Sequence, residues 1–339
     1  MWVTITILAI VRVLLLFNPQ PLYPLARDGR EMYIQLPEFN HQRATAALPE
    51  GESIHPRLLF LGSSRQFQLP ARRISSALGL ARGEGKSYAA PASTYFSMYQ
   101  LVKRNPEIAS NCEVLVIDIL PSQMNMPLED SELTPIFIQQ ATFAEKFRLS
   151  RWSDRLLVVA DNMFPFYSTR YSPLQWQIGL SSDGAAIEQY NTNLLNAAVA
   201  RSLAEMEEYT EAQRINTVLS REFPPFHHLD VQRQSFLDLL GLFPETATIL
   251  LVRPPYRDDA DQLIRDDPLR AESMHEFRKF IESIDHKNVE VIWIEKASDL
   301  GMTYDDYNDD GAHFSNSGLV KLKDFYVNTI RERELLKPN

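Results

Sequence analysis

Short runs of apolar residues alternate along this chain with longer segments in which apolar positions recur every three or four residues. The short runs predict β-strands at Leu58–Leu61, Ser87–Ala89, Val114–Asp118, Thr248–Val252 and Val289–Ile294. The longer segments predict helices, for instance at Thr94–Lys103, Arg270–Ile284 and Gly318–Arg333. This alternation predicts an α/β fold, with three α/β/α layers around a mostly parallel, five-stranded, flavodoxin-like sheet.

The segment between the third and fourth predicted strands is too long for a simple crossover. It contains helix-forming sequence such as Ala185–Tyr209, and it predicts a helical insertion at about 128–245 within an α/β domain that covers 57–333. Its aromatic residues either line a groove for a sugar or an acyl chain or, as is more usual, form the insertion's own core. These residues are Trp152, Phe164, Phe166, Tyr167, Tyr171 and Trp176.

The first seventeen residues are apolar apart from Arg12 and a few hydroxyl and indole groups. A helix over 1–17 spans roughly 25 Å, slightly less than a hydrocarbon core of about 30 Å. Asn18-Pro19-Gln20-Pro21 ends the helix and no A-x-A cleavage site follows, so we expect an uncleaved transmembrane anchor. A buried core helix is the alternative. Residues 18–56 are expected to form a connecting arm.

Composition narrows the function classes. The 339 residues are 45% hydrophobic, enough for one large core, and carry a net charge of −10. This charge and the lack of a Lys/Arg run argue against nucleic-acid binding. The single cysteine, Cys112, excludes an intramolecular disulfide framework and precedes an apolar strand, so we expect it to be buried.

The first segment with chemical potential follows the first predicted strand. Leu58–Leu61 is followed by Gly62-Ser63-Ser64-Arg65, so a serine stands at the carboxyl end of a buried strand. Ligand crevices of open α/β sheets form at those ends, which suits a nucleophile. A serine turn that caps the next helix is the alternative.

The second segment, Asp310-Gly311-Ala312-His313, could supply the base that a serine nucleophile needs. In a D-x-x-H loop the carboxylate can fold back to the imidazole Nδ1 and leave Nε2 facing a serine. The loop precedes N-cap residues of the terminal helix, so it follows the last predicted strand. The two segments together predict a hydrolase-like arrangement.

This pair of segments resembles the SGNH (GDSL-like) hydrolase superfamily, above all its bacterial cell-surface branch, whose first block often reads L-G-S-S-R. The resemblance covers most of 57–333 in element order, but only the two end blocks are specific. It implies that Ser64 is the nucleophile, Asp310 the acid and His313 the base.

Two family blocks in the middle of the chain depart from the usual pattern. Ala92, in Ser87-Tyr88-Ala89-Ala90-Pro91-Ala92-Ser93, aligns with a glycine whose backbone N–H enters the oxyanion hole, and an alanine N–H donates equally well. The family's G-x-N-D block is replaced by Val116–Asn125, in which Asn125 is a candidate oxyanion donor. Loss of one such donor costs about 10²–10³ in rate.

Arg65 has two interpretations. A guanidinium next to the nucleophile could bind an anionic substrate group or polarise a carbonyl. Equally, it could pair with a nearby carboxylate such as Asp118.

A calcium site is a weaker hypothesis. The run from Asp306 to Gly311 matches the opening of an EF-hand loop, but its twelfth position is Ser317 where the loop needs a bidentate glutamate. We therefore predict no metal site and no cofactor.

The resemblance implies a serine esterase or O-acyltransferase, and with the apolar first seventeen residues we expect it to be single-pass and membrane-anchored, with an extracytoplasmic domain. Its expected substrate is an acyl ester of a cell-envelope glycan or a similar molecule. Arg27 and Arg30, which follow the apolar segment, count mildly against an exported domain. Because the middle blocks are weak, a noncatalytic binding or assembly protein that retains the fold is the alternative.

Overall fold

The computed structural model describes residues 55–81, 83–90, 93–124, 209–223 and 229–336, with the isolated positions 144 and 155. The chain divides into two compact units, and the second, Pro37–Met126 with Met206–Asn339, contains every element named below. The predicted anchor 1–17, nearly all of the arm 18–56, the helix Ala185–Tyr209 apart from its last residue, and the insertion's aromatic residues lie outside the described residues.

The described strands and helices alternate along the chain. The strands are β1 Leu58–Leu61, β2 Gly85–Ser87, β3 Val114–Asp118, β4 Thr248–Arg253 and β5 Val289–Trp293. The helices are α1 Ser64–Phe67, α2 Ala71–Ala77, α3 Tyr95–Arg104, α4 Glu107–Ser110, α5 Glu211–Glu222, α6 Leu229–Leu240, α7 Asp258–Asp266, α8 Pro268–Glu282 and α9 Asn316–Glu332. Short 3₁₀ turns cover Pro121–Met124, Ala297–Leu300 and Tyr304–Asp306.

The five strands form one parallel sheet in the order β2-β1-β3-β4-β5. This is the order of flavodoxin-like, doubly wound sheets, and the predicted α/β fold is therefore confirmed. The chain reverses its direction of winding between β1 and β3, where Leu58 lies opposite Val114. In such sheets a crevice opens beyond the carboxyl ends of the strands at this reversal.

Helices cover both faces of the sheet, because each strand presents alternate apolar side chains to opposite sides. Leu59, Leu115 and Leu251 pack with buried residues of α3, α4, α6 and α8. Phe60, Val116 and Val252 face the other way, towards α2 and α9. Cys112 is buried in the first of these cores, as expected.

Two helices that fall inside the predicted insertion belong to the packing of the sheet domain. The α6 residues Phe236, Leu239 and Leu240 are fully buried in the first core. The ring of Phe236 stacks on Tyr95 of α3, with 4.1 Å between centroids. Helix α5 instead packs with α7 in a smaller apolar cluster. The chain is thus back on the sheet domain well before residue 245.

The predicted element bounds differ most at β2. It begins at Gly85, two residues before the expected start, although the N–H of Tyr88 continues the ladder to Phe60 O at 2.9 Å. A Cβ at Gly85 would lie 1.6 Å from Ser75 Oγ, so glycine lets helix α2 pass close to this strand. Glycine is a poor strand former, which is why the pattern placed the strand later.

None of the helices within the described ranges has the length and apolar character needed to cross a bilayer.

Gly62 allows β1 and β3 to lie close together at their carboxyl ends. A Cβ built at this position would lie 1.8 Å from Oδ1 of Asp118, the last residue of β3. The carboxylate occupies the space that any larger residue would need. Glycine is therefore required immediately before the two serines.

We expect Gly62→Ala to lower the free energy of unfolding by roughly 3 kcal/mol, because Asp118 must move out of a packed site. Urea unfolding measures the change. Gly241→Ala is the matched control, since its Cβ would meet only ordinary contacts at 3.5 Å, and it should stay within about 0.5 kcal/mol of the wild type. Equal effects of the two substitutions would contradict this explanation.

Candidate active site

The two serines after β1 have different partners. Ser63 caps helix α1, and its Oγ accepts from Arg65 N at 3.4 Å and donates to Asp118 Oδ2 at 2.6 Å. The N–H of Ser63 donates to Asp118 Oδ1 at 2.8 Å. Ser64, the first residue of α1, has none of these bonds, and its hydroxyl faces His313 beyond the carboxyl end of β1. The helix-cap interpretation is confirmed for Ser63, while Ser64 stays the predicted nucleophile.

The loop that carries the D-x-x-H motif is held by its own backbone. The N–H of Asn308 donates to His313 O at 2.8 Å, and the N–H of Gly311 donates to Asn308 O at 3.0 Å. Gly311 adopts a φ of 67°, a left-handed conformation that favours glycine. Tyr307 and Phe314 close the loop through a β-bridge. The motif therefore projects from a defined turn.

The structure brings Ser64, Asp310 and His313 together. His313 Nε2 lies 2.8 Å from Ser64 Oγ, although the two residues are 249 positions apart. His313 Nδ1 lies 2.7 Å from Asp310 Oδ2. Hydroxyl, imidazole and carboxylate thus form one continuous chain, in which Nε2 can take a proton from the serine while the carboxylate orients the ring.

Asp310 is adapted to remain ionised. Burial alone raises the pKa of this carboxyl, but the hydrogen bonds and charge of His313 and the backbone N–H groups of His313 and Ala312 outweigh it. Both N–H groups donate to Oδ1 at 2.9 Å. The net effect lowers the pKa of Asp310 to about 2. An ionised acid in this position stabilises a positively charged imidazole.

A second carboxylate, Asp118, supports the turn that carries Ser63 and Ser64. It is buried, and burial raises its pKa although bonds from Ser63 and Gln123 act in the opposite direction. Gln123 Nε2 donates to Asp118 Oδ1 at 3.0 Å, and its Oε1 accepts from Leu120 N at 2.9 Å. Gln123 was not predicted from the sequence, and it is already engaged in holding Asp118.

Arg65 points into the protein and not into the crevice. Only 1% of its side chain is exposed, and its Nη2 donates to both oxygens of Glu222 at 2.8 and 3.0 Å. Its guanidinium carbon lies 3.9 Å from the centre of the Tyr256 ring. Of the two interpretations of Arg65, the structure shows the pairing with a carboxylate. The partner is Glu222 and not Asp118.

One backbone N–H near Ser64 Oγ is a candidate oxyanion donor. The N–H of Ser64 stands in the first turn of α1 and has no hydrogen-bond partner within the described ranges, so it is available to a developing oxyanion. Ala92 and Asn125, the two donors predicted from the sequence, lie outside the described residues. The chain that leads to Ala92 starts beside the nucleophile turn, because Ala90 N donates to Gly62 O at 3.0 Å.

The carboxylates that suggested a calcium loop have protein partners. Asp306 accepts from Thr303 N and from Lys321 Nζ, both at 2.7 Å, while Asp310 binds His313. In the part of the chain that the structure describes, no group of three or more His, Cys, Asp or Glu residues is arranged to hold a metal ion.

Sequence reasoning missed Glu222 and Tyr256. Tyr256 follows the fourth predicted strand and Glu222 falls in the predicted insertion, and no local motif distinguishes either residue. Both residues are far from Arg65 in the sequence, so only the folded structure shows that they contact it.

Fold and site together define a doubly wound α/β protein with a serine-histidine-aspartate arrangement at its carboxyl edge. No protein-family model, curated protein or solved structure matches the chain.

The lowered pKa of Asp310 predicts a pH-dependent contribution to stability. Because the pKa is below its usual value of about 3.9, the ionised group stabilises the folded state above pH 4 and loses this effect as the pH falls through about 2. The contribution is roughly 2 kcal/mol.

We therefore expect the difference in unfolding free energy between the wild type and Asp310→Asn to shrink by about 2 kcal/mol between pH 5 and pH 2. Urea unfolding across this range measures it, and the other carboxylates titrate equally in both proteins. A difference that does not vary with pH would contradict the assignment.

Proposed function

We propose that this protein is an SGNH-type serine ester hydrolase or O-acyltransferase. The proposal rests on one observation: Ser64 Oγ, His313 and Asp310 form an unbroken hydrogen-bonded chain from residues at opposite ends of the sequence. The resemblance of the L-G-S-S-R and D-x-x-H segments to that superfamily supports it. A structural role alone does not account for a partly exposed serine that faces a histidine oriented by an ionised acid.

In the proposed reaction, Ser64 Oγ attacks the carbonyl carbon of an ester while His313 Nε2 takes the hydroxyl proton. Asp310 remains ionised and stabilises the imidazolium. Collapse of the tetrahedral intermediate breaks the bond to the alkoxide, which leaves as an alcohol with the proton from His313. The acyl group is then bound to Ser64.

A second nucleophile completes the proposed cycle. Water or a sugar hydroxyl attacks the acyl-enzyme, His313 takes its proton, and Ser64 leaves as the restored hydroxyl. Water makes the protein an esterase and a sugar hydroxyl makes it a transferase. The N–H of Ser64 stabilises the oxyanion in both steps, and we assign the second backbone donor to Ala92.

The substrate class and location are also proposals. The resemblance to the cell-surface branch favours an acyl ester on a cell-envelope glycan, handled by an extracytoplasmic domain that residues 1–17 attach to the membrane. A net charge of −10 is compatible with a neutral, hydroxylated substrate.

The test uses a fluorophosphonate probe and hydrolysis of p-nitrophenyl acetate by the full chain. We expect the wild type to be labelled at Ser64, and Ser64→Ala and His313→Ala to lower turnover by at least about 10³-fold, because nucleophile and base act as a unit. Labelling is read by peptide mass spectrometry and turnover by absorbance.

Ser63→Ala is the matched control for the nucleophile. It loses a helix cap and leaves Asp118 Oδ2 without its bond from the hydroxyl, together worth roughly 2 to 4 kcal/mol of stability, but the folded variant should still be labelled at Ser64. A wild type that is not labelled, or a Ser64→Ala variant with unchanged turnover, would exclude the enzyme and leave a noncatalytic binding protein.

A further inference from the structure

The side chain that follows the nucleophile lies in a buried polar cluster. Arg65 donates through Nη2 to both oxygens of Glu222, at the last turn of α5. Burial alone lowers the pKa of Arg65, but the charge of Glu222 raises it overall, so the guanidinium keeps its charge. Because Arg65 is adjacent to Ser64 on α1, any movement of Arg65 also moves the nucleophile.

Tyr256 completes the cluster from the loop after β4. Its ring lies under the Arg65 guanidinium, and its hydroxyl donates to Glu222 Oε2. Burial, followed by the charge of Glu222, raises the pKa of Tyr256, so the hydroxyl stays protonated and remains a donor. Arg65, Glu222 and Tyr256 thus each contact the other two. We call these three residues the Arg-Glu-Tyr cluster.

The same loop holds the histidine segment. Arg257, next to Tyr256, donates its N–H to Gly311 O at 2.9 Å. Ala312, which precedes His313, is fully buried in an apolar cluster that contains Tyr256 and Leu219 of α5. A short series of contacts therefore connects the residue after Ser64 to the two residues between Asp310 and His313.

The composition of the cluster argues against simple packing. A buried ion pair stabilises a fold poorly, and hydrophobic residues of similar volume often do as well or better. In addition, Nε and Nη1 of Arg65 are buried without a hydrogen-bond partner within the described ranges. Unpaired buried donors cost free energy. Because this cluster contributes little to stability, its directional hydrogen bonds are better explained by the relative position of α1, α5 and the loop after β4 that they impose.

We infer that Arg65, Glu222 and Tyr256 are positioning residues, which hold the Ser64 helix against the His313 loop at the distance that proton transfer needs. The inference rests on the proposed function. Since a displacement of about 1 Å in a reacting group can cost 10²-fold in rate, loss of the cluster should act on the reaction step more than on substrate binding.

The test removes all polar groups of the cluster together. In Arg65→Met/Glu222→Leu/Tyr256→Phe no charge or hydroxyl of the cluster is left unpaired, so the protein should unfold cooperatively with a midpoint near that of the wild type. We expect kcat to fall about 10- to 100-fold with KM changed less than about 3-fold. The rate of fluorophosphonate labelling at Ser64 should fall by the same factor as kcat.

The control is a second Arg-Glu pair at the opposite edge of the sheet. Arg57 binds Glu113 at 2.6 Å, at the amino ends of β1 and β3. Arg57→Met/Glu113→Leu removes it by the same substitutions and should leave the labelling rate at Ser64 within about 2-fold of the wild type.

A folded triple variant that is labelled at the wild-type rate would overturn the inference while leaving the enzyme intact. Absence of labelling in the wild type would overturn the proposed function itself, and the inference with it. If the triple variant does not fold, Tyr256→Phe decides alone, because it removes one hydroxyl and keeps the ring. We expect its labelling rate to fall about 3- to 10-fold, and an unchanged rate would reject the positioning role.

Discussion

The buried carboxylate of Asp118 determines where Ser64, the proposed nucleophile, stands. Burial penalises its charge, so its oxygens require the hydrogen bonds that Ser63 supplies from both its N–H and its hydroxyl. These bonds can form only because Gly62 leaves room for the carboxylate between β1 and β3. Once Ser63 is engaged in this way, the next residue begins helix α1 at the crevice. One buried group thus engages the hydroxyl of Ser63 and leaves that of Ser64 to contact His313.

Parallel topology then accounts for the meeting of the two ends of the chain. All five strands run in one direction, so the turn after β1 and the loops after β4 and β5 lie along the same edge. Ser64 contributes a hydroxyl to this edge and the 308–313 loop contributes the histidine and its acid. The side chain of His313 and two backbone N–H groups of the loop keep Asp310 ionised, so the carboxylate that orients the imidazole belongs to the same loop as the histidine.

The sequence predicts those parts of the fold and of the candidate site that depend on short stretches of neighbouring residues. The apolar runs of β1 and β3 and the D-x-x-H spacing gave the strands, the α/β class and the three residues that the structure brings together. The pattern placed the start of β2 too late. Glycine is needed at position 85 because α2 packs against it, and this tertiary contact has no signal in the hydrophobic periodicity. The pattern also offered Asp118 as the partner of Arg65, because Glu222, 157 positions away, is not marked by any local signal. Ala92 and Asn125 stay predictions.

The orientation of Arg65 follows from helix geometry. Successive residues on a helix point about 100° apart, so a helix that turns Ser64 towards the crevice turns its neighbour away from it. An arginine in that place must find a buried carboxylate, and here α5 provides one from the long segment between β3 and β4. The end of that segment therefore contributes a partner for the residue after Ser64 as well as packing. A deletion between β3 and β4 that includes helix α5 would remove this partner of Arg65 while keeping Ser64, Asp310 and His313.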